Sequence, residues 1–502
     1  MKQIPLFLIL IALSGCKVGP NYHPPVTPMP EEFTENLEDQ TFSIADEDLF
    51  QWWAIFNDPF LNDLLEDTLW GNFDYRIALE QIVQARAQYW IQFTQILPEL
   101  EFDFQASRFR TSQSFATATP AVAAAAPAAA ATTTKPAAVP TTAATISPIR
   151  NFFQTGFDAI WEIDLFGKLR RSADAAYDTW EATAEEAQAI KIVALSEVAD
   201  TYATICAFQT KVGIASQIVD LDRELLELSE SRFEAGLTNE QEVQGAIAAL
   251  ETDSANLFSL QAALKVNIYS LATLLGREPE SLIGEFQENR PIPYAAERVP
   301  AGLPSDLLRR RPDIRSAERN LAAATEQIGV AVADLFPQLS LTGSSSSFAA
   351  NPLQGANIGF SSDTASKLFD SASRIWGIGG LVTFPVFDFG KRLSAVDVQI
   401  SLEKQAYLAY QKTVIAALQE VEQALTSYFS DEKRVQDLSK EALAYQRILN
   451  LVADEFEAGL ADFSQVIQAK EAWLASINIL TDSQQALTTD LIAVYKAMGG
   501  DW

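Results

Sequence analysis

Phe233-Glu234-Ala235-Gly236-Leu237 recurs 223 residues further along as Phe456-Glu457-Ala458-Gly459-Leu460. Phe166-Gly167-Lys168 returns at the same offset as Phe389-Gly390-Lys391, and Leu274-Leu275-Gly276 as Ala497-Met498-Gly499. Upstream, Ile96-Leu97-Pro98 matches Leu335-Phe336-Pro337 at an offset of 239. The sixteen extra residues fall in the Ala/Pro/Thr tract between Pro98 and Phe166. Several anchors at one spacing read as an internal duplication. Between the anchors lie two long runs, about 169–235 and 392–458; the first holds no proline and one glycine, Gly213, and the second holds neither residue. Each predicts one uninterrupted helix of roughly 100 Å at 1.5 Å per residue. A glycine suited to a left-handed cap follows each run.

Ile190, Val193, Ala194, Val198, Tyr202 and Ile205 follow three-four spacing, as do Val414, Ala417, Leu418, Val421, Leu425 and Tyr428. Rods of this length must bury such stripes against neighbouring rods. A dimeric coiled coil would serve, but four alternating runs argue against it. Leu100, Phe102, Phe104 and Ala106 alternate with Glu99, Glu101, Asp103 and Gln105. Phe157, Ala159, Trp161 and Ile163 alternate with Asp158, Glu162 and Asp164, with Ile160 interrupting the polar row. Repeat two offers Leu339, Leu341 and Gly343, then Trp376, Ile378, Gly380, Val382 and Phe384. Period two gives each run one apolar and one polar face, and each is long enough for a tilted strand to cross a bilayer. Four strands leave two open edges, which lipid forbids. Either several chains share one barrel or these are soluble hairpins; the secretory N-terminus favours the barrel. In a barrel, Glu101, Asp103, Asp158 and Glu162 line a cation-favouring lumen.

That N-terminus has Lys2 as its only early charge, an apolar run from Ile4 to Leu13, then Ser14-Gly15-Cys16. The run is too short for a membrane helix and has the layout of a cleavable signal. Residues 1–15 are therefore expected to be removed, with Cys16 carrying the lipid as in the bacterial lipoprotein box. Cys206, the second of two cysteines, is expected as a small core residue. The chain carries 36 basic and 66 acidic residues, a net charge of −30, which speaks against a nucleic-acid partner. Its one histidine, His23, gives no basis for a histidine metal site or general base. A pair such as Glu162 and Asp164 invites an acid–base reading, but no pocket-forming context accompanies it, so no enzyme is expected.

The expected organisation is a signal peptide (1–15), a lipid-anchored segment (16–70), repeat one (71–280), a linker (281–304), repeat two (305–499) and a tail (500–502). Repeat one carries strands at about 98–110 and 152–164 around an exposed Ala/Pro/Thr loop, 116–148. Repeat two carries strands at about 337–348 and 375–387 around an exposed loop, about 350–374. A helix of about 25 residues (72–96; 305–335) opens each repeat and a shorter helix follows each long one.

Five stretches resemble a known family. They are Cys16 with Gly19-Pro20-Asn21-Tyr22; Trp52-Trp53 with Phe56-Asn57-Asp58-Pro59 and Leu61; Asp164-Leu165-Phe166-Gly167-Lys168; Leu303-Pro304-Ser305-Asp306-Leu307-Leu308-Arg309-Arg310-Arg311-Pro312-Asp313-Ile314; and Phe384-Pro385-Val386-Phe387-Asp388-Phe389-Gly390. The chain is similar over residues 16–500 to the TolC-family outer membrane efflux proteins, in the NodT-like lipoprotein branch serving RND-type pumps. The resemblance implies a mainly α fold with a membrane β-barrel. A homotrimer would form a 12-stranded barrel on a 12-helix periplasmic α-barrel. It further implies a periplasmic adaptor, an inner-membrane RND pump, outer-membrane lipid as surroundings, and no cofactor beyond the lipid on Cys16. It puts the gate and the adaptor contact at the helix turns, Gly236, Leu237 and Glu240 in repeat one and Gly459, Leu460, Asp462 and Phe463 in repeat two. Family members place acidic residues where this chain has Gln465 and Gln468, so Asp462, Leu460 and Phe463 are the remaining candidates there. Arg309, Arg310 and Arg311 with Asp306 and Asp313 read as structural pairs, with Ser305 as the N-cap. The duct of a type I protein secretion or metal-ion efflux system is the alternative function, and a coiled-coil scaffold lipoprotein without a pore the alternative class.

Overall fold

A computed structural model describes residues 16–30, 33, 52–110, 149–295, 304–341 and 356–500. The signal segment, the tract 116–148 and the end of the third predicted strand, 342–348, lie outside the described residues. In chain order the elements are α1 (Pro59–Gly71), α2 (Phe73–Thr94), β1 (Glu99–Arg110), β2 (Ile149–Ile163), α3 (Lys168–Glu234), α4 (Glu240–Leu274), α5 (Leu307–Arg310), α6 (Pro312–Ala333), β3 (Gln338–Leu341), β4 (Ala356–Ser362), β5 (Arg374–Gly377), β6 (Leu381–Thr383), α7 (Lys391–Glu457) and α8 (Phe463–Ala497). Six of these helices come in pairs of equal length. α3 and α7 have 67 residues each, α4 and α8 have 35, and α2 and α6 have 22.

Two compact units are present. The first comprises Met1–Pro20, Trp90–Ala173 and Ile328–Asp397; the second comprises Asn21–Tyr89, Asp174–Gln327 and Val398–Trp502.

The first unit holds one six-stranded antiparallel sheet. β1 pairs with β2 along its whole length, from Glu99 opposite Ile160 to Arg110 opposite Ile149. The other edge of β2 receives β4, Phe153 to Ala159 facing Ser362 to Ala356, and then β3, Trp161 to Ile163 facing Leu341 to Leu339. β5 continues outward from β4 and β6 from β3. The result is four strand lines in the order β1, β2, β3 with β4, β6 with β5. Among the described residues neither outer line has a further partner.

Repeat two therefore departs from expectation in three places. The stretch 350–374 is not a plain loop, because β4 lies inside it and pairs with both β2 and β5. Ile358 and Phe360 supply its apolar face, and the turns Ala365–Lys367 and Ser371–Ser373 confine the connection to β5. The final strand is split, since Ile378-Gly379-Gly380 separates β5 from β6 and two glycines hold an extended ladder poorly. Pro385, which lacks an N–H, follows the end of β6 at Thr383. Ser305 is not an N-cap: Pro304–Asp306 forms a 3-10 turn, and Asp306 takes the position before α5 without a capping bond from its side chain. Pro312 then restarts the chain as α6, so the expected helix from 305 is broken at Arg311.

The second unit is helical. Its core joins Val198, Tyr202, Ile205 and Cys206 of α3 to Val414, Ala417, Val421 and Leu425 of α7 and to Leu487, Leu491 and Tyr495 of α8. Both stripes are largely buried as read, with Val193 the exposed exception. Trp52 stacks on Tyr495 with ring centres 5.6 Å apart. Asp58 caps α1, accepting from the amides of Phe60 and Leu61 at 3.0 and 3.3 Å, and accepts the Tyr202 hydroxyl at 2.5 Å. Cys206 is fully buried, and burial pushes its thiol up to about 12, so it is inert at neutral pH.

Candidate functional site

The sheet is the first functional surface. Pairing puts Leu100 opposite Ala159, Phe102 opposite Phe157 and Ala106 opposite Phe153. The row continues to Ile358, opposite Phe157, and to Trp376, opposite Ile358. One face therefore carries a continuous aromatic band, with Phe102 and Phe157 in contact at 5.2 Å. That band is open: Leu100, Phe102, Phe104, Ile358 and Trp376 are each more than half exposed. Apolar surface of this extent requires a covering phase.

The opposite face carries the predicted carboxylates. Glu101 lies directly across from Asp158, and Asp103 across from Gly156. Glu162 shares the parity of Asp158 along β2 and faces Ser340. All four sequence-predicted lumen residues therefore fall on one face, with Asp158 buried, Glu162 and Asp103 half-buried and Glu101 exposed. The tightest approach on this face is Gly156 against Gly359. A Cβ on Gly359 would stand 2.3 Å from the Thr155 carbonyl oxygen and 2.7 Å from the Gly156 Cα. Asp164 accepts from the Arg170 amide and Nε at 3.0 and 3.2 Å, which ties the residue after β2 to the first turn of α3.

Cys16 is exposed in the first unit. Two residues later the Val18 amide donates to the Phe166 carbonyl at 3.1 Å.

The helix turns belong to the second unit. After α3, the Leu237 amide bonds the Arg232 carbonyl and the Gly236 amide bonds that of Phe233; after α7, Leu460 bonds Glu455 and Gly459 bonds Phe456. Both are Schellman ends, and Gly236 and Gly459 sit at φ of +70° and +77°, the left-handed region that favours glycine. Leu237 and Leu460 project outward, 77% and 81% exposed. Phe463 packs on buried Phe456 with ring centres 6.0 Å apart, so it holds the turn together from inside. Asn239 caps α4 through the Glu242 amide, and Glu240 is exposed in its first turn. Gln465 reaches back so that its Oε1 accepts the Asp462 amide at 3.0 Å. This capping role explains one of the two glutamines. Gln468 is exposed and borders a cleft of about 740 Å³ between the starts of α4 and α8, lined also by Asn239, Glu242 and Asp253.

At the edge of that cleft stands a group that the sequence reading passed over. Lys470 of α8 is buried, and its Nζ donates to Asp222 of α3 at 2.6 Å and to Asp253 of α4 at 2.8 Å. Asp222 is 1% exposed, and its second oxygen has no hydrogen-bond partner. Burial, joined by the Asp253 carboxylate, pushes the Asp222 carboxyl up to about 6 against the pull of Lys470. The available signal was Lys470 itself, which stands four residues after Val466 and one after Ala469 on the stripe that α8 buries. Nearer the tip, Arg232 donates to the Phe456 carbonyl and lies 4.2 Å from the centre of its ring. The predicted Arg311 cluster is structural: Arg311 holds Asp313 by two bonds of 3.0 and 2.7 Å, Glu420 at 2.7 Å and the Ala497 carbonyl at 2.8 Å.

A sheet with one apolar face exposed and, among the described residues, two open edges, joined in sequence to long paired helices, has the make-up of an outer-membrane channel protein. The comparisons with known proteins place it further. The family model described as "Outer membrane efflux protein" matches residues 64–277 and 303–500, and the chain belongs to that family. It is 28% identical over 474 residues to nodulation protein T of Rhizobium leguminosarum bv. trifolii, covering 93% of this chain and 90% of that one. It is 29% identical over 509 residues to the toluene efflux pump outer membrane protein TtgI of Pseudomonas putida, covering 100% and 98%. The solved outer-membrane channel OprN superposes with a TM-score of 0.80 at 28% identity, over 97% of this chain and 100% of that one. The protein is an outer-membrane efflux channel that extends into the periplasm.

Proposed function

We propose that three copies of this chain form one passive export duct, with a 12-stranded barrel in the outer membrane and a 12-helix barrel below it. The observation that carries this reading is the sheet: four strand lines, an exposed aromatic face and two unpaired edges. Lipid tolerates no open edge, and a membrane barrel needs at least about 8 strands. Copies of the chain are the nearest source of the missing strands. The Cys16 sulfur carries the lipid and residues 1–15 are the removed signal. Glu101, Asp103, Asp158 and Glu162 face the lumen and make it cation-favouring. The turns at Gly236, Leu237 and Glu240 and at Gly459, Leu460, Asp462, Phe463, Gln465 and Gln468 form the periplasmic gate and the contact for an adaptor, through which an inner-membrane RND-type pump loads the duct. The two repeats, 71–280 and 305–499, arise by duplication, which the equal helix lengths support. The duct needs no cofactor, no reaction is catalysed, and no nucleic acid is bound. The similarity to a toluene pump component supports small organic cargo; a metal-ion or type I protein secretion duct is the second reading.

The test is the mass of the detergent-extracted protein by light scattering, together with its conductance in a planar bilayer. A three-chain particle giving cation-selective pores is the expected result. A monomer or dimer without conductance would refute the shared barrel.

A further inference from the structure

Among the positions of the first unit at which the two repeats differ, two touch the chain just after Cys16. At the offset of 223, Arg171 corresponds to Ser394; at the offset of 239, Gly329 corresponds to Trp90. Arg171 is among the largest fully buried side chains, 1% exposed. Its Nε donates to the Val18 carbonyl at 3.1 Å and its Nη2 to the Gly19 carbonyl at 3.4 Å. With the Val18 amide bonded to the Phe166 carbonyl, both backbone polar groups of Val18 are held.

Glycines make the room. A Cβ on Gly19, whose φ is +87°, would stand 2.6 Å from the Gly329 Cα. One on Gly329 would meet Arg171 Cδ and Nε at 2.8 Å, and one on Gly167 would meet the Lys17 Cα at 2.8 Å. Gly390, the counterpart of Gly167 in repeat two, has nothing within 4 Å of its added Cβ. Among the described residues there is thus one such slot, although the elements around it occur twice.

We infer that Arg171, Gly329 and the Phe166–Gly167 backbone form a docking slot for residues 17–19, which turns the lipid on Cys16 from a loose tether into an anchor fixed beside the end of β2. The inference rests on the lipid reading of Cys16 given above. Only Lys17 separates Cys16 from the pinned Val18, so the Cys16 Cα stays within about 7 Å of the Val18 Cα, and the modified sulfur within one short side chain of that. The acyl chains then enter the membrane beside the junction where the apolar strand face gives way to the helix. Arg171 is a positioning residue here: it touches the segment that bears the lipid, not the lipid.

The experiment uses the full-length protein extracted from membranes, with Arg171→Ser, the residue of repeat two, and Gly19→Ala, which alters only the docked segment. Labelling with an alkyne palmitate analogue reports the lipid, and hydrogen exchange of residues 17–19 reports the slot. Wild type and both variants are expected to carry label equally, with exchange at residues 17–19 at least tenfold faster in each variant. Label present with unchanged exchange in both variants overturns the slot alone. Label absent from wild type overturns the lipid reading and the anchoring role with it, whatever the exchange shows. Should Arg171→Ser lose its helical circular dichroism, Gly19→Ala carries the test by itself.

Discussion

Asp222→Asn should tighten the second unit at neutral pH and do nothing in acid. Asp222, Asp253 and Lys470 bring two carboxylates and one ammonium together, and the Lys470 and Asp222 side chains are 3% and 1% exposed. Fully ionised, the group holds one excess negative charge away from water, so the folded protein holds a proton that the unfolded chain releases. Its carboxyl value is pushed from 3.8 to about 6. A carboxyl raised on folding adds stability at low pH, and that contribution is lost as pH climbs from about 4 through about 6. A displacement of that size corresponds to on the order of 3 kcal/mol, or roughly a hundredfold in a local opening equilibrium. Asparagine keeps the oxygen that accepts from Lys470 and removes the excess charge. The assay is hydrogen exchange of α8 residues 466–474, taken as the ratio of wild type to variant at one pH so that intrinsic rates cancel. At pH 7.5 the wild type should exchange up to about a hundredfold faster than Asp222→Asn, and the ratio should approach one by about pH 4. Lys470→Met should act the other way, costing about 3–5 kcal/mol by stranding two buried carboxylates. A ratio that is the same at both pH values, or an asparagine variant that exchanges faster at pH 7.5, refutes the excess-charge argument.

Three further outcomes follow from the geometry. Phe157→Arg puts a charge at the centre of the aromatic band; at about 2–4 kcal/mol per chain for a charge facing mid-bilayer, it should abolish the heat-modifiable assembly on gels, whereas Glu101→Gln should spare assembly and lower cation selectivity in bilayer recordings. Asp58→Ala removes both the cap of α1 and the acceptor of the Tyr202 hydroxyl; a cost of about 2–3 kcal/mol should appear as a lower thermal midpoint, and Asp58→Asn should recover much of it. Arg232→Ala removes the bond and ring contact that tie the end of α3 to the end of α7; basal conductance should rise severalfold with unchanged trimer mass, and unchanged conductance would place the gate elsewhere.

The helices were legible because their signals are local. The absence of proline over sixty-odd residues and a glycine after each run place α3 and α7 within a residue or two, and a shorter helix follows each, as read. The strands of repeat one were equally plain, since Glu99 to Gln105 alternates without interruption and β1 pairs throughout. Repeat two was read less well because its pattern is diluted by glycine and serine. Ser340, Gly359 and Gly377 contribute backbone to the ladder with little side-chain signal, so only register against β2 reveals that 356–362 is a strand. Of the site residues, the four carboxylates were placed on one face by parity alone. The Lys470 group was invisible for a different reason: its three members stand 31 and 217 residues apart along the chain, and none belongs to a motif. What brings them together is the packing of three helices, α3, α4 and α8. A lysine on a buried stripe is costly unless it is paired. In a chain with nearly twice as many acidic as basic residues, such a lysine is therefore a marker for carboxylates on the neighbouring rods. The same reasoning applies to Arg171. Burying a guanidinium where the duplicate position has serine requires acceptors supplied from outside the duplication, and the segment after Cys16 supplies them.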